Sequence, residues 1–224
     1  MEYDYLATFY DAFIDQEVYE QYLDYISKYS SIGSVLDIGC GTGNLSLQLA
    51  RLGYDVVATD LSENMLHIVS QRADEEALQI EVGVYDLLDP IEFEFELIIA
   101  SMDVINHLSD LEDVEFGFTN IYNSLKPLGI FIFDVLSVEF IDAFDGYEEK
   151  DDEYQFHWHS KKGEKPHSIV HTIKVNQGDD LHEVHIYEQT HEYFEYEKIL
   201  KKVGFTIIDF KMMPERKIYV VQKQ

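Results

Sequence analysis

The chain contains one cysteine, Cys40, one tryptophan, Trp158, and 16 basic residues against 44 acidic ones. A lone cysteine can form no disulfide within the chain, and a cysteine nucleophile needs a partner base. Cys40 lies inside a run of glycines instead, where a small residue suits the fit. The shortage of Lys and Arg leaves a formal net charge of −28. Nucleic-acid binding depends on basic side chains that neutralise phosphates, so DNA and RNA are disfavoured partners. The acidic field is either a solvated surface that keeps the protein soluble or a means of drawing in a cationic or amine substrate, and salt limits its reach. No stretch approaches the roughly 20 apolar residues of a membrane span. The start, Met1-Glu2-Tyr3-Asp4-Tyr5, has neither the basic nor the apolar region of a secretion signal. No membrane partner and a cytoplasmic location are therefore expected.

What is present is concentrated at residues 33–44, Gly-Ser-Val-Leu-Asp-Ile-Gly-Cys-Gly-Thr-Gly-Asn. A short apolar strand carrying Asp37 runs into Gly39, Gly41 and Gly43. Glycine removes the Cβ that would hold a ligand away from the backbone, and a strand entering a tight turn and then a helix presents N–H groups there. A second strand, Asp55 to Thr59, ends in Asp60, which puts a carboxylate at a strand tip, where open α/β sheets bind ligands. Such a carboxylate suits the two hydroxyls of a ribose, whether of a nicotinamide dinucleotide or of S-adenosylmethionine. The dinucleotide fingerprint needs a third glycine where this chain has Ser46, and an Asp-x-Gly-x-Gly-x-Gly run matches an uncharged adenosine with an amino-acid tail.

The hydrophobic pattern alternates strand and helix. Tyr3 to about Tyr29 reads as helical, with Leu6, Phe9, Tyr10 and Phe13 at helical spacing. Strand one at Ser34, a helix from Asn44, strand two at Asp55 and a helix opened by Ser62 follow. Gln79–Val84, Glu96–Ala100 and Gly129–Val135 read as strands three to five, with a helix from Ser109 to Leu125. Glu192–Val203 reads as a helix stopped by Gly204, followed by Phe205–Phe210 and Ile218–Val221, too closely spaced for a helical crossover and so antiparallel. The predicted fold is α/β, doubly wound, with a mostly parallel seven-stranded sheet, an antiparallel last strand, and a single domain over 1–224.

At Val35-Leu36-Asp37-Ile38-Gly39-Cys40-Gly41-Thr42-Gly43 the chain resembles the first motif of class I S-adenosylmethionine-dependent methyltransferases. Asp60-Leu61-Ser62-Glu63-Asn64-Met65-Leu66 resembles the acidic second motif, and Tyr85-Asp86-Leu87 the turn that contacts adenine. Phe95 to Leu108 resembles strand four and its loop, and Gly129 to Asp134 strand five. The resemblance implies S-adenosylmethionine as cofactor. It implies the methionine portion over Gly39, Cys40, Gly41 and Gly43, with Asp37 near its amino group, and Asp60 on the ribose. Leu61 is expected on the adenine face, Asp86 with the Leu87 amide at the adenine edge, and Met65 and Ser101 nearby. Tyr10, followed by Asp11, resembles the pair that covers the methionine end, against a plain amphipathic helix as the alternative.

Between strand five and the last helix, residues 137–191 are surplus to the doubly wound core. Glu153–His159, Ser168–Val175 and Leu181–Glu188 are rich in β-formers and separated by Gly and Pro breaks, which predicts a three-stranded antiparallel insertion acting as a substrate lid, with 1–30 as a helical cap and 33–136 with 192–224 as the cofactor core. Seven of the nine histidines fall between 157 and 191. Their spacing yields no chelating set, so no metal is expected. His157 or His159 is the expected substrate contact. Asp103, Asn106 and His107, after strand four, are the other catalytic candidates, although Asp103 and Asn106 would equally suit capping of the next turn. The expected reaction is methyl transfer to a small-molecule acceptor, an amine among the candidates, by a monomer or homodimer. A non-catalytic cofactor binder and a dinucleotide-dependent oxidoreductase are the alternatives.

Overall fold

The computed structural model describes residues 16–151, 156–177 and 180–224. Tyr10 lies outside the described residues. Helix α1 (Gln16–Tyr29) leads into β1 (Ser34–Ile38), α2 (Asn44–Arg51), β2 (Asp55–Asp60), α3 (Glu63–Glu75), β3 (Ile80–Val84), β4 (Phe95–Ala100), a 3₁₀ turn (Val104–His107), α4 (Leu111–Asn123) and β5 (Leu125–Leu136). The helix starts follow from local chemistry. Ser62 Oγ accepts the Met65 amide at 3.3 Å with Glu63 in the first turn, and Asp110 accepts the Glu112 and Asp113 amides, each at 3.1 Å.

The large sheet has the order β10-β11-β5-β4-β1-β2-β3. Strands β1 to β5 pair in parallel, whereas β11 (Arg216–Lys223) is antiparallel to both β5 and β10 (Phe205–Met212). Because β1 connects to β2 on one side while β4, its neighbour on the other, connects to β5, the strand order reverses between β1 and β4, and the ligand crevice of such a sheet opens beyond the carboxyl ends of those two strands. Both faces are covered. Leu36, Ile98, Phe131 and Phe133 pack with Phe118 and Ile121 of α4 and with Tyr196 and Leu200 of α6 (Tyr193–Val203). Their neighbours Val35, Leu97, Ile99, Ile130 and Ile132 pack with Tyr22 and Ile26 of α1, Leu45 and Leu49 of α2, and Leu66 and Val69 of α3. This two-sided burial is why the strands read as continuous apolar runs rather than alternating ones.

Between β5 and α6 lie a short helix α5 (Val138–Ala143), started by Ser137 Oγ on the Phe140 amide at 3.1 Å, and an antiparallel sheet β6-β7-β8-β9. The sheet has four strands rather than the three expected. The addition is β6 (Glu148–Asp151), whose Glu-Glu-Lys-Asp sequence disfavours strand and is held by pairing along the edge of β7 (Phe156–Lys162). Strands β8 (Ser168–Gln177) and β9 (Asp180–Gln189) start close to where the sequence places them.

Candidate active site

The turn after β1 is built by backbone that only glycine takes readily. Gly39, Gly41 and Gly43 have φ of 66°, 55° and 82°. There is no room for side chains either, since a Cβ at Gly39 would lie 2.4 Å from Val104 Cγ2 and one at Gly43 2.7 Å from Val69 Cγ2. Cys40 extends the strand pairing through its amide to the Thr59 carbonyl at 2.9 Å, and burial pushes its thiol up, away from the reactive thiolate.

Asp37 is buried beneath this turn, with Oδ2 accepting the Ser46 hydroxyl at 2.6 Å and Oδ1 without a hydrogen-bond partner among the described residues. Burial raises it to about 7, against the pull of the Ser46 hydroxyl and with a further push from Asp60. An orphaned buried carboxyl oxygen next to a glycine cradle fits a ligand that brings a cationic amino group. The Ser46 that departs from the dinucleotide pattern is thus the residue that holds Asp37.

Asp60, at the tip of β2, accepts the Gly41 and Ser62 amides, each at 2.9 Å. Burial raises its pKa, against those amides and the nearby His107. Leu61 beside it is exposed, whereas Met65 is buried on α3. Asp86 turns the chain after β3 by accepting the Leu88 amide at 2.9 Å, and Asn120 of α4 clamps the same turn by donating to the Leu87 and Asp89 carbonyls, both at 3.0 Å. The Leu87 side chain belongs to the core, so only its backbone is offered to a ligand.

At the tip of β4, Ser101 is buried, and Met102 and Asp103 both take left-handed backbone, at φ 62° and 70°. That conformation is costly outside glycine and survives where its surroundings over-determine it. Asp134, fully buried at the end of β5, supplies the restraint by accepting the Met102 amide at 2.8 Å and the Asp103 amide at 3.4 Å. It also accepts the Tyr22 hydroxyl of α1 and Arg216 Nη1 at 2.7 Å, and the same Nη1 reaches Asp103 Oδ1 at 2.8 Å. Burial pushes Asp103 up against the pull of Arg216, with Asp134 and Glu188 adding to the push. Neither Asp103 nor Asn106 caps the 3₁₀ turn through its side chain. Asn106 is a buried strut whose Nδ2 donates to the Gln189 carbonyl at 3.0 Å and whose Oδ1 accepts the Leu136 amide at 2.9 Å.

His107 is exposed, with Nδ1 3.2 Å from the Tyr187 carbonyl. The small sheet is thereby fastened across the strand tips at Tyr187 and Gln189, on either side of Glu188. Its two faces differ. His157 lies on the face away from Trp158, half-exposed, with Nε2 2.9 Å from Glu148 Oε1, and His159 shares that outer face. The inner histidine is His171, which pairs across from Ser160 and is buried. The sequence reading missed His171 and Glu188, as well as Tyr22, Asp134 and Arg216. The face each of the first two takes depends on the pairing register between strands, which Trp158 alone does not fix. A groove of about 890 Å³ between α4 and α6, lined by Glu112, Phe116, Glu195 and Lys198 among others, takes no residue from the strand tips.

A methyltransferase-domain family model matches residues 35–129, from β1 to the start of β5. Over 93% of this chain and 91% of the relative, the sequence is 31% identical to a Geobacillus sp. (strain WCH70) protein named "Putative methyltransferase GWCH70_2453". The chain belongs to the class I S-adenosylmethionine-dependent methyltransferases. Its cofactor is S-adenosylmethionine. The fold of this methyltransferase is that of a solved S-adenosylmethionine-dependent methyltransferase from Clostridium acetobutylicum, with a TM-score of 0.85, 24% identity and coverage of 99% and 98% of the two chains. It is also that of the sugar N-methyltransferase KedS8 from a Streptoalloteichus species, with a TM-score of 0.77, 16% identity and coverage of 97% and 92%. Both likenesses are of fold alone. Among the described residues no helix is long and apolar enough to cross a membrane.

Proposed function

We propose that this methyltransferase acts on a small-molecule amine, with residues 137–191 as the lid over a single domain of 1–224. The fastening of Tyr187 and Gln189 onto the loop after β4 carries this reading, because it sets a sheet across the strand tips and restricts approach to molecules small enough to enter beneath it. Charge supports it. The carboxyl groups of Asp37, Asp60, Asp103, Asp134 and Glu188 gather toward these tips against the guanidinium groups of Arg216 and of Arg72, which donates to the Thr42 carbonyl at 3.2 Å, a balance that favours cations over phosphates. KedS8, a sugar N-methyltransferase, has the same architecture.

In this reading Gly39, Cys40, Gly41 and Gly43 receive the methionine portion and Asp37 Oδ1 its amino group. Asp60 accepts the ribose hydroxyls, Leu61 and Met65 flank the adenine with Asp86 and the Leu87 amide at its edge, and Ser101 lines the floor. The cofactor supplies a methyl group on a sulfonium, which is already strongly electrophilic. The protein's part is to align a nucleophile and exclude water. An amine that has released its proton to water before the transfer needs no strong base at that step, which agrees with a site where Asn106 is occupied as a strut and Asp103 is paired with Arg216.

Incubation with methyl-labelled cofactor and separated cell fractions tests the acceptor class. Label is expected in basic small molecules, and label confined to RNA or protein would overturn the reading. A second expectation concerns Asp60→Ala, which should weaken cofactor binding by about 1.5–3 kcal/mol, the scale of hydrogen bonds to a charged group. Calorimetry that finds the affinity unchanged would remove Asp60 from the site.

A further inference from the structure

The inner face of the small sheet carries a hydrogen-bonded chain that the cofactor chemistry does not use. Trp158 Nε1 lies 3.1 Å from His171 Nδ1, and Ser160 Oγ lies 2.6 Å from the same nitrogen. An indole N–H can only donate, so His171 Nδ1 accepts and bears no hydrogen. The ring hydrogen therefore sits on Nε2, which faces Glu188 Oε2 at 3.3 Å. His171 is a neutral donor in a fixed tautomer, aimed at one carboxylate oxygen.

Glu188 is well placed to use the other oxygen. Its side chain is 13% exposed, and among the described residues His171 is its hydrogen-bond partner. The carbonyls of the residues before and after it are held by His107 and Asn106, so its backbone is fixed to the loop beyond β4. The titratable and charged groups around it come from every neighbouring element: His171 on β8, His107 on the 3₁₀ turn, Arg216 on β11 and Asp103 after β4. Burial works against its charge but is outweighed by the His171 hydrogen bond and by the fields of His107 and Arg216, leaving Glu188 below the usual carboxylate range. Asn106 and His107 belong to the segment that follows β4, so their bonds to the residues flanking Glu188 hold it beside the carboxyl end of that strand. Trp158 and Phe144 pack edge-on against His171 at ring separations of 5.3 and 5.6 Å, and Tyr147 packs in turn on Phe144 and Trp158 at 4.6 and 5.4 Å, so that end is walled with aromatic rings. Aromatic faces beside a charged carboxylate form a receptor for an alkylammonium or amine.

The geometry points to Glu188 as the carboxylate that receives the methyl acceptor as its ammonium ion, a charge no alcohol carries, and so selects amines over alcohols, with His171 positioning it; the ammonium gives up one proton to water before its nitrogen takes the methyl group. The inference rests on the amine-methyltransferase reading above. Trp158, the only tryptophan in the sequence, makes binding at this spot visible by its fluorescence.

The test titrates the full chain, saturated with S-adenosylhomocysteine, with cyclohexylamine, cyclohexanol and cyclohexanecarboxylate. The amine is expected to perturb Trp158 with at least tenfold tighter binding than the alcohol, and the carboxylate to bind weakest. Glu188→Gln should abolish the amine's advantage by about tenfold or more, the lower end of what a hydrogen bond to a charged group supplies. S-adenosylhomocysteine affinity should stay unchanged. His171→Leu should follow Glu188→Gln, whereas His171→Gln, which keeps an N–H donor, should retain part of the preference. Equal binding of the three probes, no response to any of them, or an amine preference that survives Glu188→Gln would each overturn the assignment. Failure of S-adenosylhomocysteine to bind the wild-type chain would instead strike at the methyltransferase reading itself, so the two failures are distinguishable.

Discussion

Asp134→Ala is expected to destabilise the protein by about 3–5 kcal/mol, the usual cost of leaving one partner of a buried ion pair uncompensated. The carboxylate is fully buried and accepts from three directions: Tyr22 on α1, Arg216 on β11, and the Met102 and Asp103 amides after β4. Its removal leaves the buried Arg216 with Asp103, which is itself pushed up by burial, and with the more distant Glu215 at 3.7 Å. The two left-handed residues lose the acceptor that holds them. Asp134→Asn keeps the shape and one acceptor oxygen, so it should cost less, while Tyr22→Phe removes a single donor and should cost least. Urea unfolding of the three variants gives the order directly, and for a chain of this size the Ala variant should also melt roughly 10 °C lower. A loss below about 1 kcal/mol for Asp134→Ala would mean that the network does not hold the loop. The consequence reaches function, since the loop it anchors carries Ser101, Asp103 and His107.

Much of this arrangement was legible because the cofactor half of the site is local in sequence. The glycine turn, Asp37, Asp60 and the Asp86 turn each announce themselves within a few residues, through a positive-φ requirement or a carboxylate at the end of an apolar run. The parallel order followed from strands alternating with helices, and the antiparallel close from the short spacing around Pro214. The remainder depends on partners far apart in the chain. Tyr22, Asp134 and Arg216 meet from three elements separated by 112 and 82 residues, and the signal at Asp134 was a carboxylate inside Ile130-Phe131-Ile132-Phe133-Asp134-Val135, which demands a buried partner without naming it. On the small sheet, histidine density drew attention to His157, while the face each strand turns inward is set by register, and register places His171 beneath the sheet. The strand β6 left no trace in composition because its pairing, not its residues, makes it a strand.

The ligand-free protein should lose stability as pH rises, relative to an Asp37→Asn variant, by about 4 kcal/mol in all. Asp37 moves from an ordinary 3.8 to about 7 on folding because it is buried with one oxygen unpaired, and each unit is worth about 1.36 kcal/mol. The sign follows from proton uptake. Between those two values the folded state holds a proton that the unfolded state has released, so raising the pH favours unfolding. The contribution is fully present below about 3.8, falls through the window and is gone above about 7. The asparagine is neutral throughout, so the difference between the two proteins isolates this one group from the many surface carboxylates. Because the sequence pI is about 4.4, low solubility restricts the useful range to about pH 5–8, where roughly 3 kcal/mol of the change remains. Urea midpoints across that range should diverge in favour of Asp37→Asn. Bound cofactor should reverse the order at neutral pH, because its amino group would supply the charge that Asp37 lacks, and the variant should bind it more weakly. Parallel pH profiles for the two ligand-free proteins would show that Asp37 is already paired in the fold, and would remove the reason for placing an amino group beside it.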